Sequence, residues 1–288
     1  MPAVDRSGIG AAITVSTPEA SRAVELEWHA DDRVEFNGTA FRVGFGQDVK
    51  AGPAELMLMK PRWMVERYVE LVSVLRPKRI VELGIFKGGS VAFLTLLANP
   101  EKFVATDIRR QSSPQFEAWC ASRDDVVRPY YGVDQADTVA LRQIIDDEFA
   151  GAPLDLVIDD ASHLLEPTRQ SFNLLFPFVR PGGAYVVEDW SHEHGWERLL
   201  VGTPDLEARV RAEAARHPEV AESLPLTRLL FEIVLASAYT DLVESIEIRA
   251  NWLLVHKGKE RADVDDFDVR RCHLDLGRRL LSDDPTAL

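Results

Sequence analysis

Apolar and polar positions follow two different periods along the chain, and the period switches repeatedly between residues 57 and 189. Apolar side chains at helical spacing over residues 57–75 predict an amphipathic helix, and Pro77 is typical of a position just beyond a helix end. Short apolar runs predict strands at 79–83, 102–106, 126–132, 154–159 and 184–189. Helices are predicted between them at 90–97, 113–122, 137–149 and 168–179.

Strands that alternate with helices favour a parallel sheet with helices on both faces, because the crossovers are right-handed. Two further strands, at 243–249 and 252–256, are joined at Ala250 and Asn251 and predict a hairpin that closes the sheet. We therefore predict an α/β fold: a doubly wound, Rossmann-like, mostly parallel seven-stranded sheet with a C-terminal antiparallel hairpin.

The regions outside this alternation have weaker patterns. Residues 1–55 contain short alternating stretches that predict an N-terminal arm or lid, and residues 56–257 form the main predicted domain. Within that domain, residues 203–224 are charged and rich in Ala, Glu and Arg, which favours a helical insertion that acts as a lid or an oligomer contact. A polar tail is predicted over residues 258–288.

Charge and cysteine usage restrict the partners and the compartment. With 33 Lys and Arg against 47 Asp and Glu, the net charge of −14 argues against nucleic-acid and anionic-membrane partners. No run approaches the roughly 20 apolar residues of a membrane span, and the N-terminus does not have the pattern of a signal peptide. Cys120 and Cys272 lack metal-ligand spacing, so we expect a cytoplasmic protein.

A glycine-containing loop follows the first strand of the sheet, with Gly84, Gly88 and Gly89 in the order G-x-x-x-G-G. This is neither the dinucleotide fingerprint nor a P-loop. Glycines let the backbone approach a ligand, and the acidic Glu82 suits a cationic ligand with an amine, such as S-adenosylmethionine (SAM). Asp107 ends the second strand, where a carboxylate commonly binds ribose hydroxyls. In the alternative interpretation, the glycines serve only the turn.

Paired acids end the fourth and fifth strands. Successive strand residues face opposite sides, so Asp159 is predicted to face the cofactor and Asp160 a second site. Asp160, Glu188 and Asp189 would then converge as the hard oxygen ligands that Mg²⁺ prefers. His163 follows Asp160 by three residues and is a candidate general base. Alternatively, the acids are helix caps and solvated loop charges, and His163 is structural.

Together these motifs resemble the metal-dependent class I SAM methyltransferases that act on sugar hydroxyls, including the macrocin and mycinamicin O-methyltransferases, and the related cephalosporin-hydroxylase-like sequences. The matching segments are 81–90, 132–135, 158–163 and 176–189, with Ala161 where the family often has Gly. The resemblance implies the same Mg²⁺ ligands and His163 as the base. Around the cofactor it implies Glu82, Gly84, Ser90, Asp107, Asp134 and Gln135.

The expected reaction is transfer of the SAM methyl group to a hydroxyl of a sugar or glycoside, such as a mannoside, a polysaccharide precursor or a deoxysugar of a natural product. Mg²⁺ would bind vicinal hydroxyls of a small-molecule or oligosaccharide substrate, and we expect a homo-oligomer, a dimer. Trp190, His192, His194 and Trp196 follow the fifth strand and either flank the sugar ring or pack the loop. The alternatives are a catechol-type O-methyltransferase, a cephalosporin-hydroxylase-like oxidative role and a non-enzymatic SAM-binding protein.

Overall fold

The computed structural model describes residues 24, 26–30, 32–44, 50–123, 125–192 and 224–272, with 205, 208, 212, 274–275, 278–279 and 281. By their contacts the residues form two compact units. Unit 1 comprises Met1–Arg76, Ile85–Pro100 and Gln111–Val127, and unit 2 comprises Pro77–Gly84, Glu101–Arg110 and Arg128–Leu288.

The described residues of the first half of the chain form seven strands and four helices. The strands are β1 Glu27–Ala30, β2 Arg33–Phe36, β3 Thr39–Val43, β4 Glu55–Leu58, β5 Arg79–Leu83, β6 Lys102–Asp107 and β7 Val127–Tyr131. The helices are α1 Arg62–Leu75, α2 Gly89–Ala98, α3 Pro114–Cys120 and α4 Thr138–Phe149.

The second half completes the sheet. Its strands are β8 Leu154–Asp159, β9 Val179–Glu188, β10 Val243–Arg249 and β11 Trp252–Lys257, followed by the two-residue strands β12 Leu274–Asp275 and β13 Arg278–Arg279. Among the described stretches, it contains the helices α5 Leu165–Leu175 and α6 Thr227–Tyr239, with 3₁₀ turns at Phe176–Phe178 and Val269–Cys272.

Unit 2 is built on a seven-stranded sheet in the order β10-β11-β9-β8-β5-β6-β7. The pairs β5–β6, β5–β8 and β8–β9 are parallel, while β11 is antiparallel to both β9 and β10. Buried side chains on this sheet and on helices α4, α5 and α6 form one continuous core that includes Phe172, Phe176 and Tyr185. This architecture confirms the predicted α/β fold with its C-terminal hairpin.

Unit 1 contains a four-stranded sheet in the order β1-β2-β3-β4, in which β4 runs parallel to β3. The glycines of the loop before α2 have a packing role here. A Cβ on Gly88 would lie 2.0 Å from the ring of Phe116, and one on Gly89 would lie 2.0 Å from the backbone oxygen of Met57. Protein atoms therefore occupy the space that these two glycines leave open.

Two predicted helices have different bounds in the structure. The segment 57–75 divides into β4 and α1, because Met57 and Leu58 pair with β3 and Pro61 stands at the N-cap of the helix. The helix predicted at 168–179 begins earlier and ends at Leu175. Strand β9 then starts at Val179, before the glycines predicted to precede it, and a register shift against β8 accommodates them.

Several predictions lie on residues outside the described part of the chain. They include His194, Trp196 and most of the insertion 203–224. Within that insertion Asp205, Ala208 and Ala212 are described and are helical. The described tail contains a 3₁₀ turn and two short strands. None of the helices in the described ranges is long and apolar enough to cross a membrane.

Candidate active site

The site lies where two neighbouring parallel strands end. Asp159 of β8 is in register with Val187 of β9, so Asp160 and Asp189 follow their strands at the same edge of the sheet. The amide of Asp160 donates to the backbone oxygen of Leu83 at 2.9 Å. In open α/β sheets this carboxyl edge is where ligands bind.

Gly84 gives the Asp160 backbone its place beside the end of β5. Its φ of +100° lies in a region that favours glycine. A Cβ on Gly84 would lie 2.1 Å from the backbone oxygen of Asp160. A side chain at this position would therefore displace the loop that carries Asp160. This contact within the protein explains why the position is a glycine.

Asp160, His163 and Asp189 form a compact group of potential metal ligands. One ligand atom from each lies within 4.8 Å of the others. His163 Nε2 is 4.0 Å from Asp160 Oδ1 and 4.0 Å from Asp189 Oδ2, and the three side chains are 17% to 25% exposed. Both His163 (φ +57°) and Asp189 (φ +52°) have left-handed backbones, which are uncommon for residues other than glycine. The donor set suits a divalent cation with room for further ligands.

The predicted ligand Glu188 does not belong to this compact group. Glu188 is the last residue of β9, is buried and pairs with Trp252 of β11. Among the described residues, the compact group contains His163 and not Glu188. The physical reason is that Glu188 belongs to the covered part of the sheet, whereas Asp189 turns out of the strand.

Next to this group lies His192, whose ring centroid is 5.8 Å from that of His163. Burial, followed by the neighbouring His163, lowers the pKa of His192. Trp190 donates its indole N–H to the backbone oxygen of Arg249 at 2.7 Å, which gives it a packing contact with the hairpin.

A buried polar network lies beneath the group and contains Asp159 and Gln135, both predicted at the cofactor. Gln135 Nε2 is 2.7 and 2.6 Å from the two oxygens of Asp159. Ser171 Oγ donates to Asp159 at 2.7 Å and Tyr185 Oη at 3.3 Å. Burial raises the pKa of Asp159 to about 6, although these hydrogen bonds oppose the shift. Protein donors thus occupy the Asp159 carboxylate, and its orientation toward the cofactor stays a prediction.

Gln135 also reaches the loop above it. Its Oε1 accepts a hydrogen bond from the backbone amide of Ser162 at 3.2 Å. Ser162 lies between Asp160 and His163, so the buried amide connects Asp159 to the backbone of the loop that carries two of the three site residues.

The remaining predicted cofactor residues lie at strand ends and in one helix. Glu82 is fully buried in β5, in register with Ala105 and Ile158. Asp107 ends β6 and accepts from the amide of Arg109 at 2.7 Å, and the exposed Asp134 accepts from the amide of Ala136 at 2.8 Å.

Ser90 belongs to unit 1 and is the second residue of α2. Its Oγ is buried and has no hydrogen-bond partner among the described residues. A buried hydroxyl in the first turn of a helix suits an anionic ligand group, because the helix N-terminus carries partial positive charge.

Four residues near the site carry no signal in the sequence that points to them. Ser171 and Tyr185 look like ordinary helix and strand residues, and Ser191 like a loop residue. Asn251 was predicted only as part of a turn, although its backbone oxygen accepts from the amide of Asp189 at 3.0 Å. Their contacts join positions far apart in the chain, which periodicity cannot reveal.

The fold and the acidic strand ends are those expected of a class I methyltransferase. Residues 81–190 match the family described as "Methyltransferase domain". The predicted resemblance to the macrocin and mycinamicin O-methyltransferases is confirmed.

Individual relatives match over short stretches. Demethylmacrocin O-methyltransferase of Streptomyces fradiae is 65% identical over 37 residues, which are 13% of this chain and 9% of the relative. Mycinamicin VI 2''-O-methyltransferase of Micromonospora griseorubida is 62% identical over 37 residues, with the same two shares. A tetracenomycin-C 2'-O-methyltransferase of Streptomyces olivaceus, which acts on an 8-demethyl-8-α-L-rhamnosyl compound, is 48% identical over 56 residues. That match covers 19% of this chain and 14% of the relative, so the matched stretches are a small part of the curated relatives' lengths.

Among solved structures, the mycinamicin-pathway methyltransferase MycE, in complex with Mg and SAH, superposes with a TM-score of 0.47 at 25% identity. The superposition covers 68% of this chain and 50% of MycE.

Proposed function

We propose that this protein transfers the methyl group of SAM to a hydroxyl of a sugar in a glycoside, with the help of Mg²⁺. The observation that carries the proposal is the group formed by Asp160, His163 and Asp189 at the edge of a methyltransferase domain. The name of one relative supports a glycoside acceptor, because it gives a rhamnosyl compound as the substrate of a 2'-O-methyltransferase.

For the cation, the carboxylates of Asp160 and Asp189 are the proposed ligands, since hard oxygen donors suit Mg²⁺. Glu188 remains the third metal ligand that the sequence predicts. When bound, the cation supplies Lewis-acid polarisation of a substrate hydroxyl. SAM is proposed to bind near Glu82, Gly84, Asp107 and Asp134 of unit 2. Ser90 of unit 1 remains a residue that the sequence predicts at the cofactor.

His163 is the proposed general base. Its Nε2 lies 4.0 Å from a carboxylate oxygen on each side, and both the imidazole and the carboxylates are partly exposed to an incoming hydroxyl. The imidazole would take the proton of the acceptor hydroxyl, and SAM, when bound, would supply the methyl group to the hydroxyl oxygen.

The test is methyl transfer from radiolabelled SAM onto mannosides, deoxysugar glycosides and catechols, with Mg²⁺ and with EDTA. We expect labelled glycoside only when Mg²⁺ is present. Asp160→Asn should abolish transfer while SAM still binds by calorimetry, and the exposed Asp146→Asn should behave as wild type. Full turnover in EDTA would refute the metal mechanism. Labelling of catechols alone would assign the chain to the catechol-type alternative.

A further inference from the structure

The loop after β9 is held by the turn between β10 and β11. The backbone oxygen of Asn251 accepts from the amide of Asp189 at 3.0 Å. Its side-chain Oδ1 accepts from Ser191 Oγ at 2.5 Å, and the same Oγ accepts from the amide of Asn251 at 3.1 Å. One turn residue therefore makes three hydrogen bonds to the loop that presents Asp189.

The backbone at both ends of these contacts has an uncommon conformation. Asp189 has φ +52° and Asn251 has φ +58°. Asn and Asp adopt the left-handed region more often than other residues with a Cβ, yet such a backbone persists only where its surroundings hold it. At Asp189 the surroundings include the Asn251 oxygen on its amide, while its own backbone oxygen accepts from the amide of His192 at 2.9 Å.

The residues on either side of Asp189 contact the same hairpin. Glu188 is in register with Trp252, and the indole N–H of Trp190 donates to the backbone oxygen of Arg249 at 2.7 Å. The hairpin therefore holds Asp189 at three points. It contacts Glu188 before it, the amide of Asp189 itself, and Trp190 and Ser191 after it.

We propose that Asn251 and Ser191 are a pair of positioning residues that hold Asp189 in the orientation in which its carboxylate binds a divalent cation. The inference rests on the proposed function, because the cation site belongs to it. The pair acts through the backbone of the Asp189 loop and not by contact with the cation. Both members of the pair, Ser191 and Asn251, lie outside the segment 81–190.

The test measures Mn²⁺ binding to the full chain, without SAM or acceptor, by the loss of the free-ion paramagnetic resonance signal. Asn251→Gly keeps the left-handed backbone and its backbone hydrogen bonds but removes Oδ1, and Ser191→Ala is a second variant that removes both hydrogen bonds of the Ser191 hydroxyl. Both should raise the Kd for Mn²⁺ about tenfold, the lower end of what loss of an outer-shell partner costs. Ser191→Thr, which keeps the hydroxyl, should restore binding.

The matched control is Asn37→Gly. Asn37 has the same left-handed backbone, with φ +48°, in the exposed turn between β2 and β3. It should leave Mn²⁺ binding unchanged. In turnover assays, both variants of the pair should raise the Mg²⁺ concentration at half-maximal rate more than they lower kcat at saturating Mg²⁺.

Wild-type Mn²⁺ affinity in folded Asn251→Gly and Ser191→Ala would overturn the inference and leave the proposed function standing. Equal weakening by Asn37→Gly would also overturn it, because the effect would then be general destabilisation. Absence of Mn²⁺ binding by the wild type would overturn the metal site itself, and the inference with it.

Discussion

The side-chain nitrogen of Gln135 lies 2.7 and 2.6 Å from the two carboxylate oxygens of Asp159, and both residues are buried. On its other side Gln135 accepts from the amide of Ser162 at 3.2 Å. A single amide therefore satisfies a buried carboxylate and holds the loop that carries Asp160 and His163. Buried networks of this kind are rigid when complete and costly when broken.

Gln135→Leu should lower the free energy of unfolding by about 1–3 kcal/mol, because it leaves the buried Asp159 carboxylate short of a donor. Urea denaturation of the full chain measures the change. The control is Gln143→Leu, which removes a bond of 2.8 Å to Asp147 on the exposed face of α4 and should change stability little. Equal unfolding midpoints for the two variants would contradict the assigned role of Gln135.

His163→Ala should reduce kcat by about 10²- to 10⁴-fold, the usual contribution of a general base. The affinity for Mn²⁺ should stay near that of the wild type, because carboxylates are the proposed ligands. His192→Ala is the matched control, since its ring lies 5.8 Å from that of His163 and is not the proposed base. A parallel loss of rate and Mn²⁺ affinity in His163→Ala would instead make His163 a metal ligand.

A buried ion pair joins α5 to α6. Arg169 donates to the two oxygens of Glu232 at 2.9 and 2.8 Å, and Arg228 donates to Glu232 at 3.0 Å. Glu232→Ala should destabilise the protein by about 3–5 kcal/mol, because it leaves the Arg169 guanidinium buried without its main partner.

The control for that pair is the other partner of Arg169. The Glu166 side chain is 58% exposed, so Glu166→Gln should cost less than about 1 kcal/mol in the same urea titration. Similar losses from Glu232→Ala and Glu166→Gln would show that burial does not decide the strength of these pairs.

The buried Lys257 should make the stability of the folded protein depend on pH. Its ammonium group lies 4.2 Å from the centre of the Phe176 ring, and burial lowers the pKa of Lys257 from 10.5 to about 8. Between these two values the unfolded chain binds more protons than the folded one, so the contribution of Lys257 to stability rises with pH. Relative to Lys257→Met, the wild type should gain about 2 kcal/mol between pH 7 and 10.

Urea unfolding at several pH values measures this difference. Lys259→Met serves as the control, because Lys259 is exposed two residues further along. It should give a stability profile parallel to that of the wild type. Parallel profiles for Lys257→Met and the wild type would contradict the lowered pKa.

The sequence was most informative where local pattern and burial agree. Strand β8 has the predicted bounds, 154–159, and all six of its residues are buried, including Asp155 and Asp159. The turn at Ala250 and Asn251 also lies where the pattern placed it. By contrast, Met57 and Leu58 fit the helical period of the residues after them, and only pairing with the distant β3 makes them a strand.

The sequence predicts where the candidate site lies, but it predicts only part of the geometry of that site. Alternation along β8 separated Asp159 from Asp160, but it could not say that Gln135, Ser171 and Tyr185 would surround Asp159. From the sequence, the glycines of the loop after β5 are interpreted as positions where the backbone approaches a ligand. Their space is filled by the backbone of Asp160, the ring of Phe116 and the backbone of Met57, contacts that no local pattern encodes.

The position of β11 between β9 and β10 limits how this domain can be transplanted. A chimera that takes only residues 81–190 would end with β9 as an open edge, and unpaired strand edges invite association with other chains. It would also leave behind the Asn251 turn that meets Asp189. A working graft would have to carry residues 243–257 as well. The segment that contains the recognisable motifs is therefore shorter than the segment that has to be transferred to keep the site intact.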